Sequence, residues 1–481
     1  LKIILINEEK MDNKRRDPGS FRDLCGFVFY RDEVLYRQIN QSYQNDYDFL
    51  VGSGLYQKLV DAGLLVSHEE VGDALAFTSG VYKVIRPQKI PFVSYPFEWS
   101  FTQLKQAALL TLQIQKIALE YGMSLKDASA YNVQFFHGQP IFVDTLSFEK
   151  YQEGRPWVAY RQFCQHFLSP LALMCYRDVR LNQLLRIYMD GIPLALTQRL
   201  LPMRTWLNIH IVMHLHFHSR MQLSSSAKPV DRTRNSFTRL SLCGLLDSLE
   251  TAIQRLYWDP SGTEWAGYYE VTNYTQDAIS HKKELVASFL DRLNPRMVWD
   301  LGANTGFFSR VASDRGILTV SIDSDSAAVE NNFREACRKN ERNILPLTLD
   351  LINPSSGLGW ASEERVSLVE RGPADVAMAL AIIHHLAISN NVPLFRIAEF
   401  FNKLCHFLII EFIPKHDSQI KKFFSLREDI FQDYSVESFE KAFGQFFVTQ
   451  DKQKIKDSVR ILYLMRNKNN FNEKTNRVCE Y

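Results

Sequence analysis

Acids, glycines, an asparagine and a histidine pair are spaced along residues 300–411 so as to line one ligand site. The run Asp300-x-Gly302-x-Asn304-x-Gly306 follows the strand-forming residues Val298 and Trp299 and precedes a helix start. Gly302 can take a positive φ and let a ligand approach the backbone, and Gly306 lets the next helix pack tightly. The N–H groups of that helix start are then expected to face whatever sits over the turn. A pyrophosphate wants the bare glycine amides of Gly-x-Gly-x-x-Gly. An acid at the strand end suits a cationic ligand instead. Asp323 lies at the spacing, about 20 residues on, from which an acid can hydrogen-bond ribose hydroxyls. His384 and His385 follow a later strand, and an imidazole with its ordinary pKa near 6.5 can serve as a base at neutral pH. Glu411, at the end of the next strand, is a second candidate base.

These residues need strand ends to hold them. Apolar stretches at 298–301, 317–322, 345–349, 375–380 and 407–410 read as strands ending near Asp300, Asp323, Asp350, Leu380 and Glu411. Helical stretches such as Phe395–Leu404 separate them, so the sheet core is expected to be parallel and covered on both faces. Ligand then sits outside the carboxyl ends of the strands. Glu428–Phe443 reads as largely helical, and Phe446–Thr449 with Ile461–Met465 as a closing antiparallel pair.

On these residues the chain resembles class I S-adenosylmethionine-dependent methyltransferases, with 298–307 as their first motif. The resemblance implies an α/β, Rossmann-like, mostly parallel seven-stranded sheet and S-adenosylmethionine as cofactor. It implies cofactor contacts at Asp300, Gly302, Asn304, Gly306, Asp323 on the ribose, Asp350 near the adenine amino group, and Leu380. Methyl transfer is an in-line displacement in which much of the catalysis can come from alignment. The Asn/Asp-Pro-Pro-Tyr/Phe motif of nucleobase amino methyltransferases is absent after the fourth strand, so nucleic acid is not expected and a small-molecule acceptor is. Over its length the chain is also similar to bacterial nodulation-protein-like methyltransferases, which does not define the acceptor. Competing readings are a bifunctional phosphotransferase–methyltransferase and a degenerate cofactor-binding scaffold.

The first half carries a second constellation. Gly26–Tyr30 and Val34–Ile39 read as a hairpin, Tyr47–Ala62 as a helix closed by Gly63, Val81–Ile85 as a strand and Phe101–Leu119 as a long helix. Then come Asp127, Asn132 five residues on, a turn at His137–Pro140, and Asp144. This pattern resembles the catalytic segment of kinase-like phosphotransferases, in which such an Asp accepts the substrate proton and the Asn and second Asp hold magnesium. Thr145-Leu146 stands where Phe-Gly is usual, Leu125-Lys126 where His-Arg is usual, and no glycine-rich loop accompanies the first strands. Lys83 or Arg37 are candidates for the phosphate-pairing cation. Three readings stay open: a kinase-like α+β domain without phosphotransfer, an active one using Mg-ATP, and an unrelated α+β domain in which Asp127 and Asn132 cap a turn.

Residues 157–218 read as packed helices with a break at Pro170. His210, His214 and His218 share a helical face, open to a metal or to simple packing. Serines, Lys228-Pro229 and arginines at 220–234 read as a basic connector. The aromatic run Trp258, Trp265, Tyr268, Tyr269, Tyr274 reads as a lid, either packing on the sheet or boxing a sulfonium by cation–π attraction. The expected domains are a flexible lead-in at 1–22, an α+β domain at 23–190, a helical region and linker at 191–240, the methyltransferase domain at 241–467, and a disordered tail at 468–481.

The whole chain sets bounds. Its 481 residues suit two or three domains, and 46% hydrophobic with 23% charged residues is ordinary for a globular protein. A net charge of +2 supplies no basic field for nucleic acid. The seven scattered cysteines lack a Cys-x-x-Cys pair, which argues for a reducing, cytoplasmic setting and against a zinc or disulfide framework. No apolar run is long enough to expect a membrane span. Leu1–Ile6 does not read as a signal peptide, and Met11 is the expected initiator.

Overall fold

The computed structural model describes residues 14–217, 238–261, 275–418, 420–421 and 431–471. Five strands open the fold: β1 (Lys14–Arg16), β2 (Gly26–Arg31), β3 (Val34–Asn40), β4 (His68–Val71) and β5 (Val81–Pro87), in the order β1-β2-β3-β5-β4, all antiparallel. Residues 14–16 were expected in a mobile lead-in. They pair with 29–31 instead, because the Arg15 and Arg16 guanidinium groups stack 4.2 Å from the rings of Tyr30 and Phe27. The expected helix at 47–62 is two, Gln44–Gly52 and Leu55–Asp61, broken where Gly54 takes φ 82°.

The long helix Phe101–Glu120 starts on a capping box of Ser100 and Gln103. Two small antiparallel pairs follow, β6 (Met123–Leu125) with β9 (Phe148–Lys150) and β7 (Val133–Phe136) with β8 (Gln139–Phe142), and Asp127–Asn132 lies between β6 and β7. Pro170 does not separate two helices. A π-turn at Cys164–Leu168 leads directly into the helix Ser169–Tyr176, and that wider turn takes up the proline without a break. The helix Arg239–Arg255 returns to lie on Phe101–Glu120, where Lys116 bonds both Asp247 and Glu250.

The second half is a seven-stranded sheet in the order β12-β11-β10-β13-β14-β16-β15. Its strands are β10 (Met297–Leu301), β11 (Leu318–Asp323), β12 (Ile344–Thr348), β13 (Ala374–Ala379), β14 (Cys405–Phe412), β15 (Phe447–Lys454) and β16 (Ile461–Asn467). The first five run parallel, and β16 enters antiparallel between β14 and β15. The strand order reverses at β10, the switch point where an open parallel sheet leaves a crevice at its carboxyl ends. Side chains alternate faces: Trp299, Ala377 and Leu408 enter one cluster, while Val298, Val376 and Ile409 meet the helix Gln276–Leu293 in another.

The Trp299 cluster continues into the first half of the chain through Phe92, Trp99 and Phe333, so one apolar core spans both halves. At their joint Glu98 is 1% exposed and accepts from Arg371 Nη2 at 2.6 Å and Nη1 at 2.9 Å, from Ser355 Oγ at 2.5 Å and from the Tyr95 N–H at 3.0 Å. Every charge at this joint is paired, as a buried carboxylate requires. Arg371→Met alone strands a buried carboxylate and is expected to cost about 3–5 kcal/mol. In urea unfolding, Arg371→Met with Glu98→Gln should be more stable than either single variant; a double variant with additive losses would show that the pair is not coupled.

Candidate active site

The loop after β10 spends its own amides. The Gly302 and Ala303 N–H groups both donate to the Ile322 carbonyl at 2.9 Å, and Gly306 N–H donates to Ala303 at 2.9 Å. Asn304 N–H reaches Asp323 Oδ2 at 2.7 Å, and Thr305 N–H reaches the Asn304 Oδ1 at 2.8 Å. The expectation that helix-start amides would face the ligand is therefore corrected: helix begins only at Ser309, and residues 302–306 have no bare amide to offer a phosphate. Three residues of the loop have left-handed φ, Gly302 at 82°, Asn304 at 52° and Gly306 at 78°. That backbone folds the loop onto the end of β11.

A cleft of about 250 Å³ opens above it. Asp300, Gly302, Asn304, Asp323, Asp350, Leu380 and His385 line it; Gly306, His384 and Glu411 do not. Gly306 faces Asn332 and Arg310, where a side chain would have no room, so its place is in loop packing. Burial pushes the Asp300 carboxyl up to about 7, against the opposing pull of the Ser309 hydroxyl, 2.6 Å away, and of Lys282. Burial likewise pushes Asp323 up to about 6, against the N–H groups of Asp325 and Asn304. Backbone N–H groups of Asn304 and Asp325 reach different Asp323 oxygens, with Ser324 adding a weaker bond, and the carboxylate keeps acceptor capacity for another donor. Asp350 is exposed, with Oδ1 accepting from Ile352 N–H at 2.9 Å.

The histidines differ from the expectation of a pKa near neutrality. Burial lowers His385 to about 4, and burial together with His385 and Arg460 takes His384 further below its ordinary value. Both are neutral at pH 7, and only His385 reaches the cleft. Glu411 is fully buried under the cleft floor, 2.7 Å from Lys282 Nζ and 3.6 Å from Arg460, which also bonds Asp417 at 2.8 Å. A carboxylate held in such a network positions its lysine and is poorly placed to take a substrate proton.

Lys282 lines the cleft, 4.4 Å from the Phe308 ring. Sequence reasoning overlooked it. The signal was present: Ala278, Lys282, Val286 and Leu290 form one buried stripe of the helix Gln276–Leu293, and a lysine there requires an acid opposite. Ala381 and Ile382 were also missed. Ala381 takes φ 54°, a strained value for a residue with a side chain, and brings Ile382 against the glycine loop.

In the first half, Asp127, Asn132 and Asp144 stand together around one turn. Asp127 accepts from Ser129 N–H at 2.9 Å, and Asn132 donates to Ser147 Oγ at 3.2 Å. Burial raises the Asp144 carboxyl, but Arg37 at 2.5 Å, the Ser147 hydroxyl at 2.6 Å and the Leu146 N–H outweigh it and hold it below the ordinary range. Arg37 thus supplies the positive charge that a divalent cation would bring. Among the described residues no group of three His, Cys, Asp or Glu side chains is arranged for a metal. His210 and His214 both meet Ser248 Oγ, at 3.2 and 2.9 Å, and His214 also meets Tyr160, a packing role. His218, the basic connector at 220–234, and Trp265, Tyr268, Tyr269 and Tyr274 lie outside the described residues, as does the tail from 472.

An added Cβ at Gly302 would meet Ile382 Cδ1 at 2.7 Å on a backbone with φ 82°, whereas Gly244 is helical with open space around it. Gly302→Ala is expected to lower thermal stability, and Gly244→Ala to raise it by roughly 0.5–1 kcal/mol. Thermal denaturation of the two variants side by side checks both signs.

No protein-family model matches the chain. Among solved structures it is similar to magnesium protoporphyrin IX methyltransferase ChlM from Synechocystis PCC 6803 with bound SAH, at 20% identity over 44% of this chain and 92% of that one, TM-score 0.30. It is similar to WbdD in complex with the kinase inhibitor LY294002, at 17% identity over 39% of this chain and 40% of that one, TM-score 0.29. Both likenesses are distant. In sequence it is 35% identical over 460 residues to nodulation protein NoeA of Rhizobium meliloti (strain 1021), spanning 93% of this chain and 95% of that protein. At that identity over nearly the full length of both proteins, this chain belongs to the family of nodulation protein NoeA.

Proposed function

We propose that the protein is an S-adenosylmethionine-dependent methyltransferase acting on a small-molecule acceptor. The observation that carries this reading is the cleft at the switch point, which gathers Asp300, Asp323 and Asp350 over a loop with no free amides. A phosphate would meet carboxylates there; a cationic nucleoside with free ribose hydroxyls meets acceptors. This set of acceptors therefore fits the cofactor. When bound, the cofactor supplies an electrophilic methyl group on a sulfonium.

The chain's own residues divide the remaining work. Asp323 would accept the ribose hydroxyls and Asp350 the base amino group. Asp300 would face the cationic amino-acid end, and Lys282, held by Glu411, its carboxylate. Gly302 gives the close approach, with Asn304 and Leu380 beside it. His385, neutral and at the rim, is the group placed to accept the acceptor's proton; His384 lies behind it as a positioning residue. The seat of Asp300 and Lys282 deep in the cleft leaves the rim at His385 and Asn390 for the acceptor.

The first half of the chain is read as a kinase-like lobe on the spacing of Asp127, Asn132 and Asp144, with the β6–β9 and β7–β8 pairs flanking the Asp127–Asn132 turn. The Arg37–Asp144 pair favours a lobe without phosphotransfer, so no step is assigned to Mg-ATP. Cytoplasmic placement fits the scattered free cysteines, and no helix among the described residues is long and apolar enough to cross a membrane.

Two measurements test the reading. Asp323→Ala removes charge-assisted bonds worth roughly 1.5–3 kcal/mol, so S-adenosylhomocysteine should bind at least about ten-fold more weakly by calorimetry. Unchanged affinity would refute the ribose assignment. Because Asp300 and Asp323 bind protons more tightly than ordinary carboxyls, a cation settling beside them must release protons. S-adenosylmethionine titrated at a pH of about 6.5, in buffers of different ionisation enthalpy, should show net release that Asp300→Asn reduces. Proton uptake would contradict the proposed polarity of the site.

A further inference from the structure

We infer that the surface over residues 203–217 docks on an anionic lipid membrane, independently of the cofactor assignment above. The face is apolar and stands clear of the fold. Met203 is 87% exposed, Leu207 92%, Ile209 67% and Phe217 53%, with Trp206 and Met213 beside them. Apolar side chains exposed singly are ordinary, whereas a contiguous run marks an interaction site. The local backbone builds this one. The 3₁₀ turn Met203–Leu207 leads through Asn208 into the helix Ile209–Ile211 and the π-turn Val212–Phe217. Ile209, Met213 and Phe217 recur every fourth residue and share the outer side, while Ile211, His214 and Leu215 turn inward and are buried.

The ridge is held from beneath. Thr205 Oγ1 meets His216 Nε2 at 2.9 Å, and the Trp206 ring stacks on the His216 ring at 4.2 Å. Asn208 caps the helix by accepting the N–H groups of His210 at 3.1 Å and Ile211 at 3.3 Å. The charges around the ridge point to what covers it. Arg199 and Arg204 are exposed; Arg204 donates to the Tyr176 carbonyl at 3.2 Å, and Arg177 donates to the Leu200 carbonyl, so basic residues crowd the chain where the ridge begins. No Asp or Glu occurs in the sequence between Asp190 and Asp231, although the chain has 54 of them among 481 residues. A second copy docking this face on itself would set arginine against arginine with no acid to pair them. A layer that is apolar inside and anionic at its boundary matches both features. Met203 and Leu207 enter the acyl region, Trp206 sits at headgroup level, and the arginines meet lipid phosphates. The ridge is too short to span a bilayer and lies along its surface.

The test sediments the full chain with vesicles of phosphatidylcholine alone and of phosphatidylcholine mixed with phosphatidylglycerol. Wild type should partition onto the mixed vesicles and only weakly onto the neutral ones, and rising salt should release it. Met203→Ser with Leu207→Ser changes two side chains that touch little of the fold, and should weaken partitioning at least about ten-fold. Arg199→Gln with Arg204→Gln should weaken it by roughly five-fold per arginine on the mixed vesicles and leave the neutral ones unaffected. Binding of wild type to neither vesicle overturns the inference and leaves the face to an acidic protein. Unchanged partitioning of the serine variant overturns it too, and equal binding of wild type to both vesicle types refutes the anionic requirement. A wild-type dimer in light scattering that the serine substitutions return to monomer assigns the face to a second copy, against the membrane.

Discussion

The tie between the loop after β10 and the end of β11 organises this protein. Four N–H groups of residues 302–305 close onto the Ile322 carbonyl, the Asp323 carboxylate and the Asn304 side chain. Two consequences come from that one arrangement. The loop is held by backbone bonds that need no ligand, so the cleft is pre-formed. The groups left facing the cleft are carboxylates, so its polarity suits a cation and repels a phosphate. The alternating left-handed residues make the tie possible, because only such backbone lets consecutive amides point back at the neighbouring strand.

Charge burial beneath the cleft obeys the same logic. Lys282, Glu411, Arg460 and Asp417 are nearly inaccessible and alternate in sign, so each ion has a partner within the network. Asp300 lies at its edge, where burial raises its proton affinity against the pull of a serine hydroxyl and a more distant lysine. A floor balanced in charge with an acid at its lip can hold a zwitterionic amino-acid group: Lys282 for the carboxylate end, Asp300 for the ammonium end. The histidines obey the complementary rule, since burial disfavours their charged form and keeps them neutral.

The two halves act as one body. The outer parallel strand, β12, would expose an open edge, and the turn Pro96–Glu98 covers it. Glu98, Trp99 and Asn182 then form a wall of a second cavity, which shares Ser324, Leu349 and Asp350 with the cleft. The first half thereby walls part of the cavity that adjoins the cleft. A lobe in which Arg37 pairs with Asp144 also contributes side chains to the cavity beside the cleft.

The strand ends, the glycine loop and the acids at 300, 323 and 350 were legible in the chain because they are local: alternation of strand and helix determines which residues sit at a crest, and the crest of a parallel sheet is where ligands bind. The hairpin at 26–39 and the helix at 101–120 were legible for the same reason, through turn residues and periodicity. What the chain alone did not reveal depended on distant partners. Glu411 reads as a base by its place at a strand end, but Lys282, 129 residues earlier, claims it. Histidines 384 and 385 read as ordinary imidazoles until burial removes their affinity for protons. Glu98 carries no motif; only the packing of one half on the other gives it a role, because burial and pairing are properties of three-dimensional neighbours that residue order does not specify.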